Sequence, residues 1–513
     1  MEKTISRGIE KIMKKNRTYS YIYLVLWVTP LIFFVKDFFQ ISEIESLDYL
    51  EYFKLFKISL LQGVVSVFFS TIVALIPAYY MSYRKNTLTK ILEGLIFIPF
   101  FFPTISTVVA FTLLFNLPFL RGFNILYSLK AIVFANVFYN SPIMIKYLSQ
   151  GMRNIPRNVV EAAKIDGLNE IGVFFKIKLP LIFPQVFRGM FLVFIYTFAS
   201  FGVVLALGGI RYSNFEVEIA NTLLRDANFT KALVLGAFQF LFLIGINLLG
   251  ELYSPYELEG DFQQKKVSIG VFIYSLVYLL LEFSIVLIGV FYGFYNYYTG
   301  QFSLEGFLKL FSSAFNSSYP VLEGIRNSLI MASITPIFVI VFTYLLLKNF
   351  TKVSSAVVFS TMGFSSAFLG IALIYLNILY DIKLWVLLIV GYFLITVPIA
   401  YSFMYQYVRE FPKDILDLAK IDRLSPLKTF LLIECPILKN IFLGTYLQIF
   451  AIILGEFTIS YSMQLGRDFP TIALVNYSLF SDKKLLEGAA LSSVNIIIVL
   501  VLFYVSNKIT EKE

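Results

Sequence analysis

Residues Pro156–Pro180, PRNVVEAAKIDGLNEIGVFFKIKLP, form a polar interruption in a strongly apolar chain, and the interruption occurs twice. The second copy is Pro412–Pro436, PKDILDLAKIDRLSPLKTFLLIECP, displaced by 256 residues without a gap. The same displacement pairs Ala163-Lys164-Ile165-Asp166 with Ala419-Lys420-Ile421-Asp422, Phe174 with Phe430 and Ile177 with Ile433. Outside the segment it pairs Pro142 with Pro398.

Each copy reads as two short helices joined by a turn. Pro156 suits a helix start, where its missing N–H would be unpaired anyway, and Gly167 suits a stop, since it accepts a left-handed backbone. Asn169, and in the second copy Ser425 followed by Pro426, reads as the cap of the next helix. Arg423 stands where the first copy has Gly167, and a positive φ there costs about 1 kcal/mol. The apolar positions (Val159, Val160, Ala163; Phe174, Phe175, Ile177) are too few to cross a bilayer. They predict a surface element that docks against another protein.

Composition places these segments in a membrane protein. Of 513 residues, 58% are hydrophobic and only 15% charged, against about 25% charged in soluble domains. The single cysteine excludes an intrachain disulfide, and the absence of histidine removes HExxH zinc sites and Ser-His-Asp or Cys-His catalysis. No GxxxxGK[ST] loop occurs, so the chain carries no P-loop nucleotide site of its own. The net charge of +9 fits lysines and arginines on the cytoplasmic side of a membrane rather than nucleic acid binding.

Taking about 20 apolar residues per crossing, the chain predicts an all-α polytopic protein with about twelve transmembrane helices. Residues 1–19 form a cytoplasmic basic arm with Lys3, Arg7, Lys11, Lys14, Lys15 and Arg17, and an acidic stretch at Asp37, Glu43, Glu45, Asp48 and Glu51 fits the outer face. The first half, 20–250, has expected spans near 20–35, 58–83, 91–115, 129–147, 183–207 and 231–250. A polar linker, 251–266, leads to the second half, 267–513, with spans near 267–292, 327–347, 353–378, 385–404, 438–463 and 488–506. An even number of crossings per half makes the repeats parallel, with both termini and both polar segments (156–180 and 412–436) on the cytoplasmic side.

A translocation path needs side chains that tolerate water inside a bilayer. FASFGVVLALGG, Phe198–Gly209, supplies Ser200 and Gly202 late in the fifth expected span, and its counterpart LGEFT, Leu454–Thr458, supplies Glu456 and Thr458. Small residues there allow either close helix packing or room for solute. Glu456 deep in an apolar run costs a few kcal/mol unless it faces a polar cavity or partner, so it is expected at the interface of the halves. Snorkelling to water at the helix end is the alternative. Glu282, in Leu279–Phe283, raises the same question, and a pairing role fits its peripheral span better than a solute role.

Glu161-Ala162-Ala163, then Gly167, then Ile177-x-Leu179-Pro180 resembles the EAA loop of the membrane subunits of ATP-binding-cassette importers. The second copy departs from it: Asp417-Leu418-Ala419 stands for the triplet, Arg423 for the glycine and Cys435 for the leucine, while Ile433 and Pro436 remain. The FASFGVVLALGG and GEF pattern, with two halves in one chain, is similar to the fused permeases for thiamine and for ferric iron. The resemblance implies a type I importer permease of the bacterial inner membrane. Its partners are then an ATPase dimer gripping both segments and an external solute-binding protein, with ATP and Mg used by the ATPase and no cofactor on this chain. The expected path lacks the carboxylates and tyrosines that suit a hard cation, which favours thiamine over iron(III). The competing classes are an ion-coupled carrier, which needs more ionisable groups in the membrane than this chain offers, and a membrane enzyme, which needs a convergent catalytic set.

Overall fold

A computed structural model describes the backbone of residues 2–39, 48–96, 99, 102–252, 264–296 and 298–510. Most of the linker expected at 251–266 therefore lies outside the described residues, as do Glu43 and Glu45. In chain order the principal helices of the first half are α1 (Glu2–Phe38), α2 (Tyr49–Tyr83), α3 (Thr87–Leu95), α4 (Thr104–Phe115) and α5 (Leu129–Arg153). They are followed by α6 (Arg157–Ile165), α7 (Leu179–Phe198), α8 (Gly202–Leu207), α9 (Phe215–Leu224) and α10 (Phe229–Leu252). The second half runs α11 (Ile269–Phe291), α12 (Val321–Lys348), α13 (Lys352–Ser360), α14 (Ser366–Tyr380), α15 (Leu384–Arg409) and α16 (Lys413–Ile421). It closes with α17 (Cys435–Gly455), α18 (Thr458–Ser462), α19 (Ile472–Ser481) and α20 (Leu485–Thr510). One two-residue antiparallel pair, Tyr295–Asn296 with Gln301–Phe302, follows α11.

The all-α polytopic class is as the sequence predicts, but the span count is not. Among the described residues nine helices are long and apolar enough to cross a membrane, or ten with one pair bent by 95°. The expected span 91–115 is instead α3 and α4, with Pro103 in an extended conformation as the α4 cap. Twelve residues in α4 reach only about 18 Å, short of a hydrocarbon layer of about 30 Å. The expected span 353–378 breaks likewise between α13 and α14, where Ser365 caps the new helix by accepting from the Phe368 N–H at 3.1 Å. The third departure is α5. It is 25 residues long, yet it carries buried Asn136, Asn140 and Ser141 and packs along α2 and α7. Asn136 Nδ2 donates to Ser66 Oγ at 3.2 Å and Asn140 Nδ2 to the Asn136 carbonyl at 2.8 Å, while Asn140 Oδ1 is buried without a hydrogen bond. The backbone of residues 2–19 continues into α1 without a break.

Two packing units divide the chain differently from its sequential repeat. One comprises Gln40–Phe315 and Asn476–Ile497, the other Met1–Phe39, Asn316–Val475 and Ile498–Glu513. Within the first, α2, α5 and α7 pack on one another, and within the second α12, α15 and α17 do the same. Close approach needs small residues. A Cβ on Gly189 of α7 would lie 2.9 Å from the Tyr147 ring of α5.

The first span, α1, belongs to the unit of the second-half helices because one of its faces fits there. Tyr23, Trp27 and Phe34 are buried, while Val25 and Ile32 on the opposite side are exposed. Tyr23 Oη donates to the Leu394 carbonyl at 2.9 Å and meets Thr361 Oγ1 at 2.9 Å. Trp27 packs on Phe364 and Phe34 on Phe368, each at 5.2 Å between ring centroids. Lipid chains are as apolar as leucine, so such ring contacts and hydrogen bonds hold the helix rather than a hydrophobic effect. In the other unit α11 packs on α4 and α2. Its buried Glu282 accepts from Ser141 Oγ at 3.0 Å, and the same hydroxyl lies 3.0 Å from Tyr278 Oη, so Glu282 has the pairing role its span suggested.

Candidate coupling segments and path residues

The first polar segment folds as its residues dictate. Pro156, at φ −61° and ψ 138°, precedes α6. The helix ends when Leu168 N–H donates to the Ala163 carbonyl at 3.1 Å and Gly167 N–H to that of Lys164 at 3.0 Å, with Gly167 at φ 86°. Asn169 Oδ1 then accepts from the Gly172 N–H at 2.7 Å, capping Glu170–Val173. A π turn, Phe174–Lys178, carries the chain into α7. Glu161 pairs with Arg157 at 2.5 Å on the exposed side of α6, and Lys164 pairs with Glu170. Both contacts are open to solvent and add little stability.

The second segment repeats this design bond for bond. Leu424 N–H donates to the Ala419 carbonyl at 3.0 Å and Arg423 N–H to that of Lys420 at 3.0 Å, with Arg423 at φ 54°. The left-handed turn is made by arginine at the cost its side chain imposes. Ser425 Oγ accepts from the Lys428 N–H at 3.3 Å, and a second π turn, Phe430–Glu434, leads into α17. Asp417 pairs with Lys420 at 2.7 Å.

The exposed apolar face is only in part the one the sequence pattern indicated, since Val159 and Phe175 are exposed. Val160 and Ala163 are buried, as is Ala419, and α6 packs back on the residues 170–178 that follow it. The open apolar side chains are Ile165, Ile171 and Phe175 in the first copy, and Leu418, Ile421, Leu427, Leu431 and Leu432 in the second. Ile165 is 85% and Ile421 74% exposed, far more than a side chain in a settled core. Glu161, Ala162, Gly167 and Pro180 are exposed, with Ile177 and Leu179 half-buried. Asp417, Arg423 and Pro436 are exposed and Ile433 is half-buried. Ile165 and Ile421 were signalled by the repeat itself, being identical apolar residues at the helix end.

All four path candidates sit at helix breaks. α7 ends at Phe198 and α8 begins at Gly202, with Ser200 between them. α17 ends at Gly455 and α18 begins at Thr458, with Glu456 between them. In the first half the freed carbonyls of Phe198 and Ser200 accept from Asn214 Nδ2 at 3.1 and 2.7 Å. In the second, Glu456 Oε1 accepts from the Ile459 N–H at 2.9 Å, so the carboxylate caps α18, where a negative group suits the unpaired N–H groups. Its Oε2 is buried without a hydrogen bond. Gly202 is buried, and Ser200, Glu456 and Thr458 are half-buried. Among the described residues no three carboxylates or cysteines come together to hold a metal.

Long apolar helices, with amphipathic segments between them in each half, define an all-helical, multi-pass membrane protein. Residues 66–292 match the family described as "Binding-protein-dependent transport system inner membrane component". The match runs from within α2 to just past α11, less than half of the chain. The chain is similar to the "Probable transport system permease protein NifC" of Clostridium pasteurianum, at 23% identity over 196 residues, 37% of this chain and 68% of NifC. It is 26% identical over 256 residues to the thiamine transport system permease protein ThiP of Haemophilus influenzae, 45% of each chain. It is 27% identical over 148 residues to the sulfoquinovosyl glycerol transport system permease protein SmoH of Agrobacterium fabrum, 29% of this chain and 50% of SmoH. The chain thus spans about half the length of the last two.

Proposed function

We propose that this chain is the membrane permease of an ATP-driven importer, with two permease halves fused in one polypeptide. One observation carries the reading: two amphipathic segments 256 residues apart are closed by the same pair of backbone bonds and capped at the same position. Each leaves apolar side chains uncovered, as a protein-binding face requires. In this reading residues 20–250 and 267–513 are the halves, 251–266 the linker and 1–19 a cytoplasmic arm, with both termini cytoplasmic.

An ATPase dimer seats on the segments, with Glu161, Ala162, Gly167, Ile177, Leu179 and Pro180 forming one contact and Asp417, Arg423, Ile433 and Pro436 the other, and buried Ala163 and Ala419 holding each helix from behind. The partner uses ATP and Mg. Its closure pulls on α6 and α16, and the capped turns and π turns behind them pass that motion into α7 and α17. An external binding protein delivers the solute, and Ser200, Gly202, Glu456 and Thr458 border its passage. Thiamine is the solute we favour, since the ThiP relative bears that name and the breaks lack a ligand set for iron(III).

Proteoliposomes holding the permease, its ATPase and the binding protein test this. ATP-dependent thiamine uptake is expected, and it should vanish when Glu161 and Gly167 are replaced in a chain that still folds. Uptake that persists without the ATPase and collapses with an ion gradient sinks the proposal. Iron(III) uptake without thiamine uptake reassigns the solute alone.

A further inference from the structure

The two π turns end in buried ionisable residues of opposite sign. In the second half Glu434, 3% exposed, accepts from Lys348 Nζ at 2.8 and 2.9 Å, and the same amine donates to Tyr344 Oη at 3.1 Å. In the first half the position 256 residues earlier is Lys178, 5% exposed. Lys178 Nζ donates to Tyr83 Oη at 2.9 Å. A second amine completes the cluster, because Lys178 Nζ and Lys265 Nζ each lie 4.8 Å from the Tyr83 ring centroid. Lys265 is fixed there by its backbone N–H, which donates to the Tyr83 carbonyl at 3.1 Å.

Where one repeat holds a cation with its carboxylate, the other therefore holds two amines and a phenol. Among the described residues neither Lys178 nor Lys265 forms an ion pair; the Glu170 carboxylate, paired with Lys164, reaches both amines only through space. Burial, and then the Lys178 ammonium beside it, hold Lys265 below the ordinary lysine range. A buried amine with a half-buried one in its field is costly unless an anion joins them. The cluster lies at the last residue of α2 and the root of α7, on the side of the bilayer that bears the first polar segment, where basic pockets between helices suit lipid phosphates.

The geometry points to Lys178, Lys265 and Tyr83 as a binding site for a phosphate group, supplied by an anionic phospholipid headgroup or by a free phosphate ion. The two amines take two phosphate oxygens and the Tyr83 hydroxyl donates to a third or bridges through Lys178. Occupancy would tie the end of α2, the root of α7 and the end of the linker together behind the first segment. The second segment needs no such ligand, because Glu434 supplies the negative charge from within the chain. The site is independent of the transport reading, since its test reads binding alone.

The full chain, purified in neutral detergent with phosphatidylcholine, is titrated with phosphatidylglycerol and separately with inorganic phosphate. Thermal unfolding and native mass spectrometry of retained lipid provide the readouts. Lys178→Glu recreates the charge arrangement of the second repeat and should fold, and Lys265→Met removes the other amine. The wild type should gain Tm on titration, and each variant should bind about fivefold more weakly per lysine lost. A response to phosphatidylglycerol alone identifies a headgroup site, and a response to both probes shows that a free phosphate suffices. No gain in the wild type, or an equal gain in the wild type and both variants, overturns the proposal.

Discussion

Gly167 and Arg423 make the same left-handed turn, at φ 86° and 54°, and exchanging their residue types tests the equivalence of the two segments. A Cβ added at Gly167 meets nothing within 4 Å, so Gly167→Ala carries no clash and costs only the backbone preference, about 1 kcal/mol. Arg423→Gly relieves a similar amount in the folded turn but gives the unfolded chain more freedom, for a net gain between about 0 and 1 kcal/mol. The turn is closed by the amides of Leu168 and Leu424, so hydrogen exchange at these two amides reads it directly. About 1 kcal/mol corresponds to roughly a fivefold change in the opening equilibrium. Gly167→Ala should speed exchange at Leu168 by that factor, and Arg423→Gly should leave exchange at Leu424 unchanged or slow it. Unchanged exchange at Leu168 in the first variant, or faster exchange at Leu424 in the second, would refute the reasoning.

Replacing exposed Ile165 or Ile421 by Asp should weaken association with the ATPase more than tenfold, since burying each side chain contributes about 1.5–3 kcal/mol, and Tm should not change. Pull-down with the purified ATPase checks this. Tyr23→Phe removes two hydrogen bonds from α1 and should cost about 1 kcal/mol, read as a lower Tm. For buried Glu434 and its exposed partner Lys348, Lys348→Met should destabilise more than Lys348→Met with Glu434→Gln, because the single change strands a carboxylate; a double-mutant cycle decides. After α11, Lys309 holds Glu305 below the usual carboxylate range, and Glu305 in turn raises Lys309. The depressed carboxyl contributes above its unfolded pKa and is lost as pH falls through the folded value. The raised lysine contributes below its unfolded pKa and is lost as pH rises through its folded value. Hydrogen exchange over 295–310 should therefore be flat near neutral pH and rise at both acid and strongly alkaline pH, with the acid limb absent in Glu305→Gln.

The turn chemistry of the polar segments was legible because it is local. Proline, glycine and the Asn169 and Ser425 caps act within a few residues, and the repeat gave each reading twice. The helix breaks were less visible, since a hydropathy window sees one apolar run from α3 into α4, or across Thr361–Ser365, where a new helix is capped by Pro103 or Ser365. α5 was counted as a span because window averaging dilutes Asn136 and Asn140, and the Ser66 partner of Asn136 is remote in sequence. No local pattern distinguishes which face of α1 seeks Thr361 and Leu394. Glu456 was visible as an anomaly, but its bond to the Ile459 N–H depends on a helix break that apolar composition hides.

The seat of α1 has a consequence for how the molecule is made. Tyr23 and Thr361 lie 338 residues apart, so α1 leaves the ribosome long before the helices it packs against are synthesised. At about 5–20 residues per second, that interval lasts on the order of tens of seconds, during which the Tyr23 hydroxyl has no mate in the nascent polypeptide. An insertase or a chaperone within the lipid that shelters this newborn helix would govern the yield of mature protein, and a message truncated after the linker would leave it stranded for degradation.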